Sequence, residues 1–204
     1  MRHAAAISRD WRVPSLIAVF ALTFGASASA YDYPLTQTAV RDAYYLGRRQ
    51  GSVPPDVLKQ YSHWVSDLHQ GNCTSEARIE TPFLQIAEYV GSVPNYSSQD
   101  AVKEFYDQPM VLRIFLNICY MREAPPPNSV RIKFIQNKKE VLPATDIRSA
   151  YAERFSETSF LRANGESAKL QFDPKKLDSS TLTIQIDTPD GQHAETEFDL
   201  QSLR

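Results

Sequence analysis

The 204-residue sequence predicts an α+β fold, an N-terminal helical hairpin packed on a C-terminal antiparallel β-sandwich of immunoglobulin-like type. Three observations predict it. Between residues 36 and 68 the apolar side chains recur at helical spacing. From residue 111 onward they alternate with polar ones at period two. The alternating segments are separated by Pro, Gly, Asn and Asp, at intervals that suit a sandwich better than a crossover α/β sheet.

The first thirty residues have the three zones of a cleavable export signal. Basic Arg2, Arg9 and Arg12 precede the apolar run LIAVFALTFGA, and small residues at Ala28 and Ala30 follow it. The apolar run is shorter than the ~20 residues a membrane span requires. Cleavage after Ala30 is expected, leaving a chain that begins at Tyr31, is secreted or periplasmic, and has no membrane span. Its net charge moves from −2 to −4 on losing this segment. A weakly acidic chain has no long-range attraction for nucleic acid, so no nucleic-acid partner is expected.

The helical hairpin is expected over residues 31–70. Thr36 or Thr38 can cap a first helix with Ala39, Val40, Ala43, Tyr44, Leu46 and Gly47 on one broad face and Gly51 at its stop. Pro54 and Pro55 suit the first turn of a second helix, in which Val57, Tyr61, Trp64 and Leu68 recur at spacings of four, three and four. Trp64 is expected in the core. Two helices this close in sequence form an antiparallel pair that must lean on another layer.

The β-sandwich domain is expected over 71–204. ARIET (77–81) alternates as a strand; Pro82 then redirects the chain, and PFLQIAEYV suits either a short helix or an extended continuation. Ser97 with Asp100 three residues later resembles a capping box, opening a short inserted helix near 98–106. The most apolar remaining stretch, VLRIFLNICYM (111–121), reads as the central strand. Leu112, Ile114, Leu116, Ile118 and Tyr120 form one uninterrupted face, and prolines flank the run at 109 and 125–127. Val130, Ile132 and Phe134 alternate in a second strand. Tyr151–Phe155 suits extended chain, and Asn164-Gly165 is a turn signal. Segments 168–172, 181–187 and 194–200 complete the strands, the last two joined around Pro189, Asp190 and Gly191.

Common catalytic signatures are missing from the sequence: no glycine-rich phosphate loop, no GxSxG, HExxH, CxxC or SxxK. No cofactor and no metal site are expected, because no second histidine sits at ligand spacing from His63 or His193. His63 and Asp67, four apart on the expected second helix, could form a base with its orienting carboxylate, but an exposed helix pair is the plainer explanation. Arg41, Tyr45, Arg48 and Arg49 make a basic, aromatic helix face that could meet an acidic polymer or carboxylate ligand; a solvated helix surface is the plainer explanation. Glu195, Glu197 and Asp199 alternate as an outward strand face. Asn72 and Asn95 stand in glycosylation-type triplets.

The only two cysteines, Cys73 and Cys119, are expected to form a disulfide, since export supplies an oxidising compartment and an even count leaves neither unassigned. The bond would tie the helical unit to the β core. No catalytic residue is identified. The expected function is therefore a non-enzymatic binding or envelope-assembly module with a protein or cell-envelope partner. The alternative is an exported hydrolase using carboxylates or His63.

Overall fold

The computed structural model describes residues 33–49, 51–70, 73–106, 108–120, 128–154, 162–177 and 180–204. The expected export segment, the proline run at 125–127 and Asn72 lie outside the described residues. The chain is a mixture of helices with two antiparallel sheets. The five-stranded sheet has the order β1 (Ser62–Gln70), β2 (Cys73–Glu80), β3 (Leu112–Tyr120), β7 (Arg162–Phe172), β6 (Thr145–Arg154). The four-stranded sheet runs β5 (Lys139–Glu140), β4 (Arg131–Gln136), β8 (Thr181–Asp187), β9 (His193–Asp199).

Strand β3 is central to the larger sheet, and its even-numbered residues 112 to 120 are all buried, the face expected from the alternation. They belong, with Leu182, Ile184 and Ile186 of β8, to one buried core shared by both sheets. Direct side-chain contacts cross between the sheets: the Phe134 and Phe172 rings lie 4.8 Å apart, edge to face, and His63 stacks on Phe198. The β8–β9 connection closes as expected, with Thr188 and Gln192 paired and Gly191 at φ 88°, a backbone position that suits glycine.

Four helices accompany the sheets among the described residues: α1 (Gln37–Arg48), the single turn α2 (Pro55–Leu58), α3 (Pro82–Ser92) and α4 (Ser98–Phe105). Thr36 caps α1, and Thr81 caps α3 with Pro82 in its first turn, which resolves PFLQIAEYV as helix. The Ser97–Asp100 capping box opens α4. On α1, Ala39, Val40, Ala43 and Gly47 are buried. They face α3 so closely that a Cβ on Gly47 would lie 2.0 Å from the Ala87 carbonyl oxygen.

Four expectations are corrected. The second helix of the hairpin stops after the single turn α2: residues 62–70 are strand β1, and α1 takes α3 as its partner instead. Tyr61, His63 and Val65 alternate inward, then the register with β2 shifts between Val65 and His69, a stretch in which Leu68 is buried. Between the Val65–Ser75 and His69–Thr74 pairs β1 advances four residues while β2 advances one, and this odd insertion breaks the period of two and so mimics the three-and-four spacing of a helix. Trp64 consequently points outward and is 69 % exposed.

Asn164-Gly165 is not a turn but lies inside β7, opposite Tyr120 and Cys119. A Cβ at Gly165 would come within 2.2 Å of the Tyr151 ring, so the glycine admits an aromatic side chain from β6. The disulfide between Cys73 and Cys119 is present, with Cα atoms 6.1 Å apart. It joins neighbouring strands of one sheet, β2 and β3, rather than fastening a helical unit to the core.

Candidate functional site

The tight α1–α3 contact determines what α1 presents. Tyr44 donates from its hydroxyl to the Tyr96 carbonyl at 2.9 Å, and Arg48 donates to the same oxygen at 2.9 Å. The Arg48 guanidinium also lies 5.9 Å from the Tyr44 ring centre. Tyr96 packs edge-on against Tyr89 of α3, and Tyr89 against Phe105 of α4; Tyr44 of α1 joins this cluster through its hydrogen bond to the Tyr96 carbonyl. Tyr45 stacks edge-on with Tyr44 at 5.2 Å. Tyr96 donates to the Glu104 carboxylate; burial foremost, then that carboxylate, raises its phenol pKa, so it stays protonated as a donor.

The structure brings Arg41, Tyr45, Arg48 and Arg49 to one side of α1, as their spacing requires. Arg41, Tyr45 and Arg49 are exposed, and Arg48 is fixed by Tyr96. None of the three arginines has a carboxylate partner among the described residues. By contrast Arg78, Arg113, Arg148 and Arg204 are each ion-paired.

His63 and Asp67 are not brought together. His63 is half-buried on the inner side of β1, its ring stacked on Phe198 at 4.1 Å and Nδ1 3.3 Å from the Thr196 hydroxyl. Asp67 lies in the bulged stretch and is exposed. A groove of about 290 Å³ beside His63 also holds Glu197 and Asp199. Glu195, Glu197 and Asp199 are exposed on the outward face of β9; Gln185 donates to Glu195 at 3.0 Å. His193 pairs with Asp187 at 2.7 Å beside the hairpin. No group of three His, Cys, Asp or Glu among the described residues is placed to hold a metal ion. Asn95 is exposed between α3 and α4.

A second surface was not anticipated. The outer face of the five-stranded sheet carries two cross-strand rows. Trp64, Glu76, Asn117, Ser167 and Ser149 stand opposite one another in sequence across β1, β2, β3, β7 and β6. Ser62, Arg78, Phe115, Lys169 and Ile147 form the adjacent row. A groove of about 350 Å³ runs between them, lined by Glu76, Arg78, Glu80, Phe115, Asn117 and Ser167. Lys169 sits 5.6 Å from the Phe115 ring centre. Arg78 pairs with Glu80 at 3.2 Å and with Glu88 of α3, and Arg113 approaches Glu80 at 3.9 Å. The Glu80 carboxyl titrates above its ordinary value, first because it is buried and then because Glu88 is near; Arg78 and Arg113 oppose the shift.

Alternation in ARIET and in Val111–Met121 marks these side chains as one strand face. What sequence lacked was the pairing of β3 with β2 and β7, which lines the alternate residues into rows. A comparison of the chain with family models, with curated proteins and with solved structures returns no match.

Proposed function

We propose that the protein is an exported, non-enzymatic binding or envelope-assembly module whose α1 face contacts an acidic partner. The observation that carries this reading is the contrast among its arginines. Arg78, Arg113, Arg148 and Arg204 are ion-paired within the fold, whereas Arg41, Arg48 and Arg49 have no carboxylate partner among the described residues; Arg131 of β4 has none either, so what distinguishes the three is their grouping on one helix face with Tyr45. A guanidinium that has no internal counter-charge is available for bidentate contact with carboxylate or phosphate groups. The aromatic cluster beneath holds that face rigid, which lowers the ordering cost of binding.

Export is supported by the zoned N-terminus and by a disulfide, which persists in oxidising compartments. No helix among the described residues is long and apolar enough to cross a membrane. The immunoglobulin-like sandwich is supported by strand order. Setting β1 aside as an extra edge strand, β2-β3-β7-β6 and β5-β4-β8-β9 correspond to A-B-E-D and C′-C-F-G. The disulfide then joins A to B, unlike the B–F bond of antibody domains.

Binding to polygalacturonate at low and moderate salt tests the reading. Arg41→Ala with Arg49→Ala should weaken it at least tenfold and flatten the salt dependence. Equal binding by the double variant would sink it. One observation favours the alternative of an exported hydrolase acting through carboxylates: Glu80 titrates high beside Glu88. The shallow groove and the arginine partners of both carboxylates weigh against it, since a structural ion-pair network produces the same shift.

A further inference from the structure

We infer that the outer face of the five-stranded sheet is a second binding site, separate from the α1 face, that takes an extended, uncharged, hydroxyl-rich polysaccharide chain. Its aromatic residues are spaced for such a ligand. From strand separation and rise, Trp64 on β1 and Phe115 on β3 stand ~12 Å apart, two strands across and two residues along. An extended chain of pyranose rings can lay the C–H face of one ring on the exposed indole and that of a later ring on Phe115. The Lys169 ammonium lies 5.6 Å from the centre of the half-buried Phe115 ring and polarises it.

Glu76 and Arg78 on β2 stand between the two aromatics, and Asn117 on β3 and Ser167 on β7 extend the groove beside Phe115, so it offers both donors and acceptors. Each sugar hydroxyl both donates and accepts, so this mixture matches a polyol better than a uniformly charged lining would. Formal charge makes the same choice of ligand. Arg78, Arg113 and Lys169 are balanced by Glu76, Glu80 and Glu88, and most of these are engaged with each other. A balanced face neither attracts a polyanion nor a polycation. It differs in this from the α1 face, whose arginines lack counter-charges. The rows are built on paired β-strands, which hold their side chains in register without a ligand. The large exposure of Trp64 leaves its indole face free to stack.

The indole also reports on the site. Trp11 and Trp64 are the only tryptophans in the chain, so in a Trp11→Phe background fluorescence excited selectively from tryptophan comes from this face alone. The full chain carrying that change is titrated with cellohexaose and with chitohexaose, by fluorescence and by calorimetry. The expected result is a blue shift on binding at least one of them, with affinity that does not fall as salt rises. Phe115→Ala should weaken binding at least tenfold, and Trp64→Ala should weaken it equally by calorimetry. Arg41→Ala with Arg49→Ala should leave it unchanged. Absence of binding to both hexasaccharides by folded protein would overturn the inference, as would binding that Trp64→Ala and Phe115→Ala leave intact. Because polygalacturonate and the hexasaccharides are read on different variants, either site can fail without the other.

Discussion

The two ends of the molecule are held together by different means. At one end Cys73 and Cys119 are covalently joined, Tyr151 covers the gap at Gly165 with its hydroxyl 3.6 Å from the Cys119 sulfur, and fully buried Glu166 meets Arg148 at 3.4 Å. Arg148 continues to Asp146 and to the Val130 carbonyl, while the Val130 amide donates to Glu166. At the other end α1 and α3 approach through Gly47 and Ala87. The C-terminal residues fold beneath them, with Tyr61 and Thr81 donating to the Arg204 carbonyl and Arg204 pairing with Asp42 at 3.3 Å. The strand end depends on bonds and charges, the helical end on shape. Changes of chemistry should therefore damage the first, and changes of size the second.

The largest effect should come from the strand end. Replacing Cys73 and Cys119 together by Ala releases a loop of 46 residue steps and should cost about 4 kcal/mol by loop-closure entropy, read from denaturant unfolding. Since that loop carries α3 and α4, hydrogen exchange in both helices should rise as well; protection unchanged in α3 would show the two ends to be independent. Gly47→Val should cost about 3 kcal/mol, because the new side chain meets backbone that cannot move without separating the helices. A loss below about 1 kcal/mol would show that shape does not govern this end. Glu166→Gln should cost about 2 kcal/mol by leaving Arg148 with a buried neutral partner. A neutral result would mean the ion pair merely offsets its own desolvation.

Trp64→Ala should change stability by less than about 1 kcal/mol, being exposed and near neither set of contacts. A larger loss would place the indole in the packing of the sheet and not on a free face. The smallest effect is one of pH and belongs to the helical end. Hydrogen bonds from the Ser97 side chain, and then from its backbone amide, lower the pKa of the Asp100 carboxyl. Its contribution is therefore present above the carboxyl's unfolded-state value and lost as pH falls through the lowered folded value. Amide protection in the first turn of α4 should drop on acidification, and Asp100→Asn should remove that pH dependence; an identical profile in the variant would exclude the capping box as its source.

Local signals along the chain determined a good part of this protein. The alternation of 112–120, the caps at Thr36 and Ser97, the turn around Gly191 and the pairing of two cysteines are each specified by a few neighbouring residues or by a count. Pairing between distant strands decided the rest. The spacing from Tyr61 to Leu68 fits a helix and a bulged strand equally, and only hydrogen bonding to β2 makes it β1 and turns Trp64 outward. Gly165 has the composition of a turn, and only the Tyr151 ring on the neighbouring strand makes it a strand residue. Arg41, Tyr45, Arg48 and Arg49 were visible as a group because a helix places positions three and four apart on one side without outside help. The rows through Trp64 and Phe115 were not, because they exist only in the register of five strands drawn from opposite ends of the sequence.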